Sequence, residues 1–499
     1  MVDSVAGYFE DHSDSKDLGR RALRGGFVSV AMQFGNGALQ IVSAVILARL
    51  LAPEDFGLVA IVTVLTSFAP MLIDFGLGDA TVQRSKITRG QVNCLFWLSS
   101  GIGLAVAVIV AASSPLIAWI YGEPRLEPIA LCTAITFVLG GASNQHLALL
   151  RRSMQFGRIA NIQVLSTLAG IVVAVVIAIC GSGYWALVLR PIVSTFCVAV
   201  GAWFVCRWRP GFPAFDSDVT PMIRFGQHVV GFSVIYTMAK SVDRIALGLF
   251  YRPDQVGYYQ NATALYENSI FSALIQLHMV ASAALSKLQS DPAALRQKYE
   301  AALSALAFFF MPAASILSVV AEDLTVILLG EKWRMAGSLL SIIALRGIFQ
   351  VVEGSQGWLH LSVGRADRWR NWGILTAAVQ VMAVLGGLPF GAKGVAMAMV
   401  MTSLLMALPS IIYAGRPIGI GAELVIRAVG VQLIGAVSAV AGGWWLQTEA
   451  LADYSSFVRI LLLGGFCTCI YLVMVVGLFR LVEPIKVAGS IVHDLLRNR

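Results

Sequence analysis

The sequence predicts an all-α polytopic membrane protein. About 14 transmembrane helices would form two pseudo-symmetric six-helix lobes around a central cavity, with two further C-terminal helices. Three observations carry that expectation. First, 58% of the 499 residues are apolar and only 13% are charged, with a mean hydropathy of +0.78. Soluble domains hold roughly 45–50% apolar and about 25% charged residues, so this chain lacks the polar groups to cover a water-facing surface and its excess apolar area must face lipid. Second, the apolar residues gather into runs long enough to cross a bilayer. Third, the basic residues concentrate in alternate connections between those runs.

A hydrocarbon core takes about 20 residues of helix. Fourteen runs qualify, over 22–48, 56–75, 93–120, 126–149, 159–181, 184–206, 222–249, 256–285, 299–321, 336–362, 370–389, 392–414, 422–446 and 457–479. The connections are short and leave no room for an extramembrane domain. With the N-terminal tail in the cytoplasm, every cytoplasmic segment carries at least two basic residues, from Arg20, Arg21 and Arg24 through Arg151, Arg152 and Arg158 to Arg497 and Arg499. The opposite side holds few: Arg49, Arg125, Arg252, Lys332, Arg334, Lys393 and Arg459. Losing one span would invert every later loop, so this regularity supports the helix count as well as the topology. Both termini are then cytoplasmic. The chain divides into a tail (1–20), an N-lobe of helices 1–6 (21–210), a C-lobe of helices 7–12 (211–418), helices 13–14 (419–480) and a second tail (481–499).

The net charge of +8 is thus a topology signal that suits anionic membrane lipids as partners, not nucleic acid. The seven cysteines lie in or beside apolar runs, with no metal-ligand spacing to histidine or carboxylate. They read as small buried apolar residues. The first twenty residues are polar and the first apolar run is too long for a cleavable signal peptide.

An internal repeat appears at an offset of 200. Arg24, Gly26, Val30, Val42, Leu47, Pro53, Gly57, Thr63 and Leu65 recur as Arg224, Gly226, Val230, Val242, Leu247, Pro253, Gly257, Thr263 and Leu265, with Glu54 facing Asp254. No gap is needed across two spans and their loop. Six spans separate the repeat starts, so the copies share orientation, as in parallel-repeat transporters.

Polar residues recur at helical spacing inside the spans. Helix 1 carries Ser29, Gln33, Asn36, Gln40 and Ser43 on one face. Helix 7 repeats that face with Ser233, Tyr236, Lys240 and Asp243, and Arg244 stands beside it. Helix 10 shows Arg346, Gln350, Glu353, Gly357 and His360. Helix 2 shows Thr63, Ser67, Pro70 and Asp74, helix 8 offers Asn261, Glu267 and Asn268, and Arg190 sits next to Pro191 in helix 6. Ionisable groups at bilayer depth cost roughly 2.5–3.5 kcal/mol each. They either fasten helices together or line a wet interior. Three charges on one turn at Lys240, Asp243 and Arg244 exceed what fastening needs. His146 and His278 read as hydrogen-bonded residues, not proton carriers. Cationic side chains suit phosphate, and amides, Tyr and Trp suit sugar hydroxyls and faces. The candidate substrate-binding residues are therefore Lys240, Arg244, Arg346, Arg190, Gln33, Asn36, Gln40 and Tyr236. Asp74, Asp243, Glu267 and Glu353 are candidates for coupling to a proton or sodium gradient. No cofactor and no metal is expected.

Specific segments carry a resemblance. Ala48-Arg49-Leu50-Leu51-Ala52-Pro53-Glu54-Asp55-Phe56-Gly57-Leu58 resembles the helix 1–2 signature of the polysaccharide transporter family. That family includes Wzx-type oligosaccharide flippases of the multidrug/oligosaccharidyl-lipid/polysaccharide superfamily. Ser241-Val242-Asp243-Arg244-Ile245, Gly257-Tyr258-Tyr259, Ser286-Lys287-Leu288-Gln289 and Asp74-Phe75-Gly76-Leu77-Gly78 are similar to other family segments. The resemblance covers about residues 20–415. It implies alternating access and movement of an undecaprenyl-diphosphate-linked oligosaccharide across a bacterial inner membrane, for lipopolysaccharide, capsule or exopolysaccharide synthesis beside a polymerase and chain-length machinery. It also implies cationic cavity residues for the diphosphate, a duty that position and charge give to Lys240, Arg244 and Arg346. Helix 1 carries no charge between Arg24 and Arg49, so a cavity arginine in helix 1, as in lipid II flippases, is absent. Two other classes compete. A cation-coupled multidrug exporter should show a net acidic cavity, whereas helix 7 is net basic. The other is a non-transporting membrane scaffold or a membrane-embedded glycosyltransferase or ligase; a sugar-transferring enzyme should show a large extramembrane loop with acidic catalytic residues, and the loops here are short. A transporter, not an enzyme, fits the residues best.

Overall fold

The structure is a computed structural model that describes Met32 and residues 35–84, 87–212, 237–238, 240–289, 291–362, 365–451 and 453–481. It forms two compact units, Met1–Gly257 and Tyr258–Arg499. Among the described residues all regular structure is helical, and ten helical stretches are long and apolar enough to cross a membrane. The chain is a multi-pass membrane protein.

The first unit contains α1 (Gly35–Leu50), α2 (Pro53–Thr66), α3 (Ala69–Asp74), α4 (Leu77–Gln83), α5 (Arg89–Tyr121), α6 (Leu126–Arg152), α7 (Phe156–Ile179), α8 (Trp185–Cys206) and α9 (Val242–Phe250). Helix α10 (Pro253–Tyr266) begins in it. The second unit continues through a π-turn (Glu267–Phe271), α11 (Ser272–Leu285), α12 (Pro292–Leu329), α13 (Arg334–Ser362), α14 (Ala366–Gly387), α15 (Gly391–Gly415), α16 (Ala422–Glu449) and α17 (Ser456–Leu472). Most of helix 7 and the start of helix 1 expected from the sequence lie outside the described residues.

Two boundaries differ from the sequence expectation for physical reasons. The second span, expected as one helix over 56–75, is broken into α2, α3 and α4. Pro70 has no N–H to give a helix interior and opens α3 instead, and Phe75 and Gly76 turn through the left-handed region at φ 44° and 66°. The ninth, expected to stop at 321 before Glu322 and Asp323, continues to Leu329. Asp323 is almost fully buried and accepts a hydrogen bond from the Arg459 guanidinium at the start of α17, so the carboxylate does not end the helix. Polar caps set other starts. Thr88 and Gln91 form a reciprocal capping box before α5 at 3.1 and 3.2 Å. Asp291 accepts the amides of Ala293 and Ala294, both at 3.0 Å, before α12.

The repeat is visible in the element bounds. Helices α2 and α10 are both 14 residues long, each starts on its proline, and their starts differ by 200. Helix α1 ends at Leu50 and α9 at Phe250. A Cβ on Gly57 would run into the carbonyl of Pro253, and one on Gly257 would run into that of Pro53. The two segments thus touch backbone to backbone in a reciprocal arrangement. In the second unit, α16 and α17 pack on α12. Gln432 Nε2 donates to Ser304 Oγ (2.9 Å), Ser315 Oγ to the Ala436 carbonyl (3.1 Å) and Tyr471 OH to the Phe308 carbonyl (3.1 Å). Gly435, Ala439 and Gly443, one per turn, form the buried small-residue stripe of α16 that lets membrane helices approach closely.

Removing one partner of a buried ion pair leaves the other uncompensated, typically a loss of about 3–5 kcal/mol. Asp323→Ala should therefore lower the thermal unfolding midpoint of the detergent-solubilised protein markedly, and an Asp323→Leu, Arg459→Leu pair should recover most of it. An unchanged midpoint in Asp323→Ala would show that the pair does not hold α17 to α12. Between α5 and α6, Arg125 binds Glu123 (2.8 Å) and Glu54 (2.5 Å), and its hydrogen bond holds the Glu123 carboxyl below the usual glutamate range. A depressed carboxyl contributes stability above its unfolded value that is lost as pH falls through the folded one. The midpoint difference between the wild type and Arg125→Ala should be present at pH 7 and shrink as pH falls below about 4.5. A difference independent of pH would refute this.

Candidate functional site

In the first unit, Asn36 and Gln40 stand one turn apart on α1 and share a face. Arg190 of α8 donates from Nη2 to Gln40 Oε1. Its backbone is fixed from behind, because a Cβ on Gly170 of α7 would lie 2.7 Å from the Arg190 carbonyl, which puts the two helices in near backbone contact. Asn36 Oδ1 is buried without a hydrogen-bond partner among the described residues. A guanidinium hydrogen-bonded to a neutral amide inside a spanning helix retains its charge for another ligand, and its planar fork suits phosphate. Gln33 and Tyr236, which complete the sequence-predicted set, lie outside the described residues.

Other candidates in this unit are engaged locally. Asp74 accepts from the Gly78 amide (3.3 Å) and from Asn144 Nδ2 of α6 (3.2 Å), so it ties the broken second span to α6. Asp243 is buried at the start of α9. It accepts the Arg244 amide at 2.8 Å and lies 3.8 Å from the Arg244 guanidinium. The Lys240 side chain is exposed. Of the expected charge trio, the acid and one base thus form a close pair, with the other base presented outward.

The second unit gathers several candidates around a residue the sequence did not single out. Tyr266, buried at the end of α10, donates its hydroxyl to Gln350 Oε1 of α13. It feels the charges of Arg346, Glu353 and Glu267 together. Arg346 Nε donates to Ser403 Oγ of α15 at 2.9 Å. Glu353 Oε2 is buried without a hydrogen-bond partner among the described residues. Glu267 opens the π-turn, the kind of helix irregularity that often marks a functional site. His360, the last member of the expected α13 stripe, stacks on Trp369 (6.5 Å, 12°) and belongs to a separate aromatic group. Tyr266 and Ser403 escape the sequence pattern because each meets the site only across helices, at Gln350 and Arg346 of α13. The signal for Tyr266 was its place directly before Glu267 at the end of the repeated helix.

The two histidines fare differently from expectation. His146, expected to be hydrogen-bonded, has neither ring nitrogen bonded among the described residues and instead stacks on Trp203 (4.5 Å, 24°) in the first unit's core. His278, expected to be hydrogen-bonded, has neither ring nitrogen bonded among the described residues. Its ring lies where a side chain on Gly354 would stand and packs 5.0 Å from Trp358, because α13 presents bare backbone there.

These features define a helical, multi-pass membrane protein with cationic and amide groups inside its spans. The chain belongs to the polysaccharide biosynthesis protein family, whose model matches residues 46–337. It is 26% identical over 389 residues, 76% of this chain and 78% of the relative, to the lipopolysaccharide biosynthesis protein WzxC of Escherichia coli (strain K12). It is 25% identical to the teichuronic acid biosynthesis protein TuaB of Bacillus subtilis (strain 168), over 67% of this chain and 70% of the relative. Its fold is similar to that of the lipid II flippase MurJ in an inward closed conformation, with a TM-score of 0.69 at 13% identity, over 91% of this chain and 99% of that one.

If Tyr266 and Gln350 form one buried bond, Tyr266→Phe strands the amide and should cost about 1–3 kcal/mol. Thermal unfolding checks this. Equal losses for Tyr266→Phe in the wild-type and Gln350→Leu backgrounds would show that the two residues are not coupled.

Proposed function

We propose that this chain is a flippase. It carries an undecaprenyl-diphosphate-linked oligosaccharide from the cytoplasmic to the periplasmic leaflet of a bacterial inner membrane by alternating access, for synthesis of a surface polysaccharide. Both termini face the cytoplasm, as the distribution of basic residues indicates. The observation that carries this reading is chemical. Arg190 and Arg346 lie within apolar helices and are hydrogen-bonded to neutral partners, Gln40 and Ser403. Such guanidiniums are costly in a membrane unless they meet water or an anionic ligand. A diphosphate supplies that anion, and charge-assisted hydrogen bonds hold it. Asn36, Gln40 and Gln350 supply donors and acceptors for sugar hydroxyls, while the polyprenyl tail stays in lipid. Family membership and the names of the relatives support a role in polysaccharide assembly, and the flippase-like fold supports translocation. Lys240 and Arg244 act as the first cationic contact. Asp74, Asp243, Glu267 and Glu353 couple transport to a proton or sodium gradient, and Glu353 with its unpartnered buried oxygen is the leading member. Anionic lipids and a polysaccharide polymerase are its partners in the membrane.

Arg190→Ala, Arg346→Ala and the Lys240→Ala, Arg244→Ala pair should each leave membrane levels within about twofold of wild type and reduce surface polymer at least tenfold. Such a loss is equivalent to roughly 1.4 kcal/mol of substrate interaction. Normal polymer in all three would remove the proposed site. Deletion of the gene should leave a lipid-linked oligosaccharide on the cytoplasmic face, and its sugar analysis would name the substrate. Undiminished transport into vesicles without any ion gradient would rule out coupling through the four acids.

A further inference from the structure

A groove of about 720 Å³ opens between α7 and α8 in the first unit. It is remote in sequence from the α1 stripe and does not include Arg190. One end is polar. Arg158 and Asn161 come from the first turns of α7, and Arg207 caps the end of α8. Arg207 sits in the left-handed region at φ 54°, uncommon for a residue with a side chain. Arg158 donates to Gln155 Oε1 at 2.6 Å, which orients its guanidinium and leaves further donors. No carboxylate lines the groove.

The rest of the groove is apolar. Leu165 stands two turns from Arg158 on the same face of α7, about 10.5 Å along the axis. Phe196, Val200 and Phe204 follow one another at single-turn spacing on α8. All four are exposed in the structure, Phe204 by 78% and Leu165 by 66%, and all four line the groove. Two arginines lining one end of a furrow of exposed apolar side chains match one kind of ligand: a phosphate ester with hydrocarbon chains.

We infer that this groove binds one anionic phospholipid. The phosphate is held by Arg158 and Arg207 near Asn161, and the upper acyl chains lie along Leu165, Phe196, Val200 and Phe204. Paired arginines without acids favour a lipid with net negative charge over a zwitterionic one, whose ammonium would meet like charge. In the orientation proposed above, the arginine end faces the cytoplasmic leaflet, where anionic headgroups attract basic side chains. The assignment stands on the groove alone and survives if the transport reading fails.

The test is native mass spectrometry of the purified full-length chain titrated with phosphatidylglycerol or phosphatidylethanolamine. Phosphatidylglycerol should bind at least tenfold more tightly. Arg158→Gln with Arg207→Gln should weaken that binding by roughly thirtyfold, as expected for two arginines near an anionic headgroup. A control with the same loss of charge elsewhere, Arg365→Gln with Arg427→Gln, should change it less than twofold. Val200→Trp fills the apolar furrow and should weaken binding with both arginines intact. Size-exclusion profiles confirm that each variant is folded. Equal affinity for the two lipids, a double variant no weaker than its control, or displacement of phosphatidylglycerol by stoichiometric undecaprenyl diphosphate would each overturn the assignment. The last would give the groove to an isoprenoid carrier.

Discussion

Hydrocarbon offers a polar group nothing to bond to, and every feature of this molecule follows from that. Backbone amides must be satisfied within their own segment, so the described chain is helix joined by short turns. Where a helix is interrupted inside the span, side chains and neighbouring helices take over. After the break at Phe75 and Gly76, the Asp74 carboxylate accepts the freed Gly78 amide at the start of α4 and a hydrogen bond from Asn144 of α6. The same rule lets α12 run through Asp323, because Arg459 supplies the missing charge.

The rule also sorts the intramembrane charges. Asp323 of α12 and Arg459 of α17 neutralise one another. This pair fastens two helices and spends its charge in doing so. Arg190 and Arg346 bond to an amide and a hydroxyl and keep theirs. Both kinds look alike in a sequence, as a charge in an apolar run. Only the identity of the partner separates a fastener from a residue held ready for an anion.

Much of the fold was legible because bilayer thickness imposes a length that apolar runs must meet. Helices α5 to α8 fall within a few residues of the expected spans. The second span was misread as one helix because Pro70 and Gly76 are tolerated in membrane helices often enough to hide a break. The ninth was cut short because a buried acid looks like a boundary until its partner, 136 residues away, is known. The candidate site was legible where polar residues recur at helical spacing along one helix, and illegible where a residue joins it only across helices. Helical spacing exposed Arg346, Gln350 and Glu353, whereas Tyr266 and Ser403 announce themselves only when α10 and α15 are set against α13. His278 shows the limit of residue-type expectation, since a glycine opposite decides its surroundings.

The contact at Gly57 and Gly257 constrains both segments at once. Each glycine leaves room for the proline carbonyl of the other copy. A side chain gained by either collides with backbone, which cannot shrink to make way. Elsewhere the two matching segments tolerate different side chains. At this crossing neither could change without spoiling the other, and an insertion between the proline and the glycine in one copy would misalign both. A point of mutual exclusion of this kind acts as a register mark that holds the two proline-to-glycine segments in step.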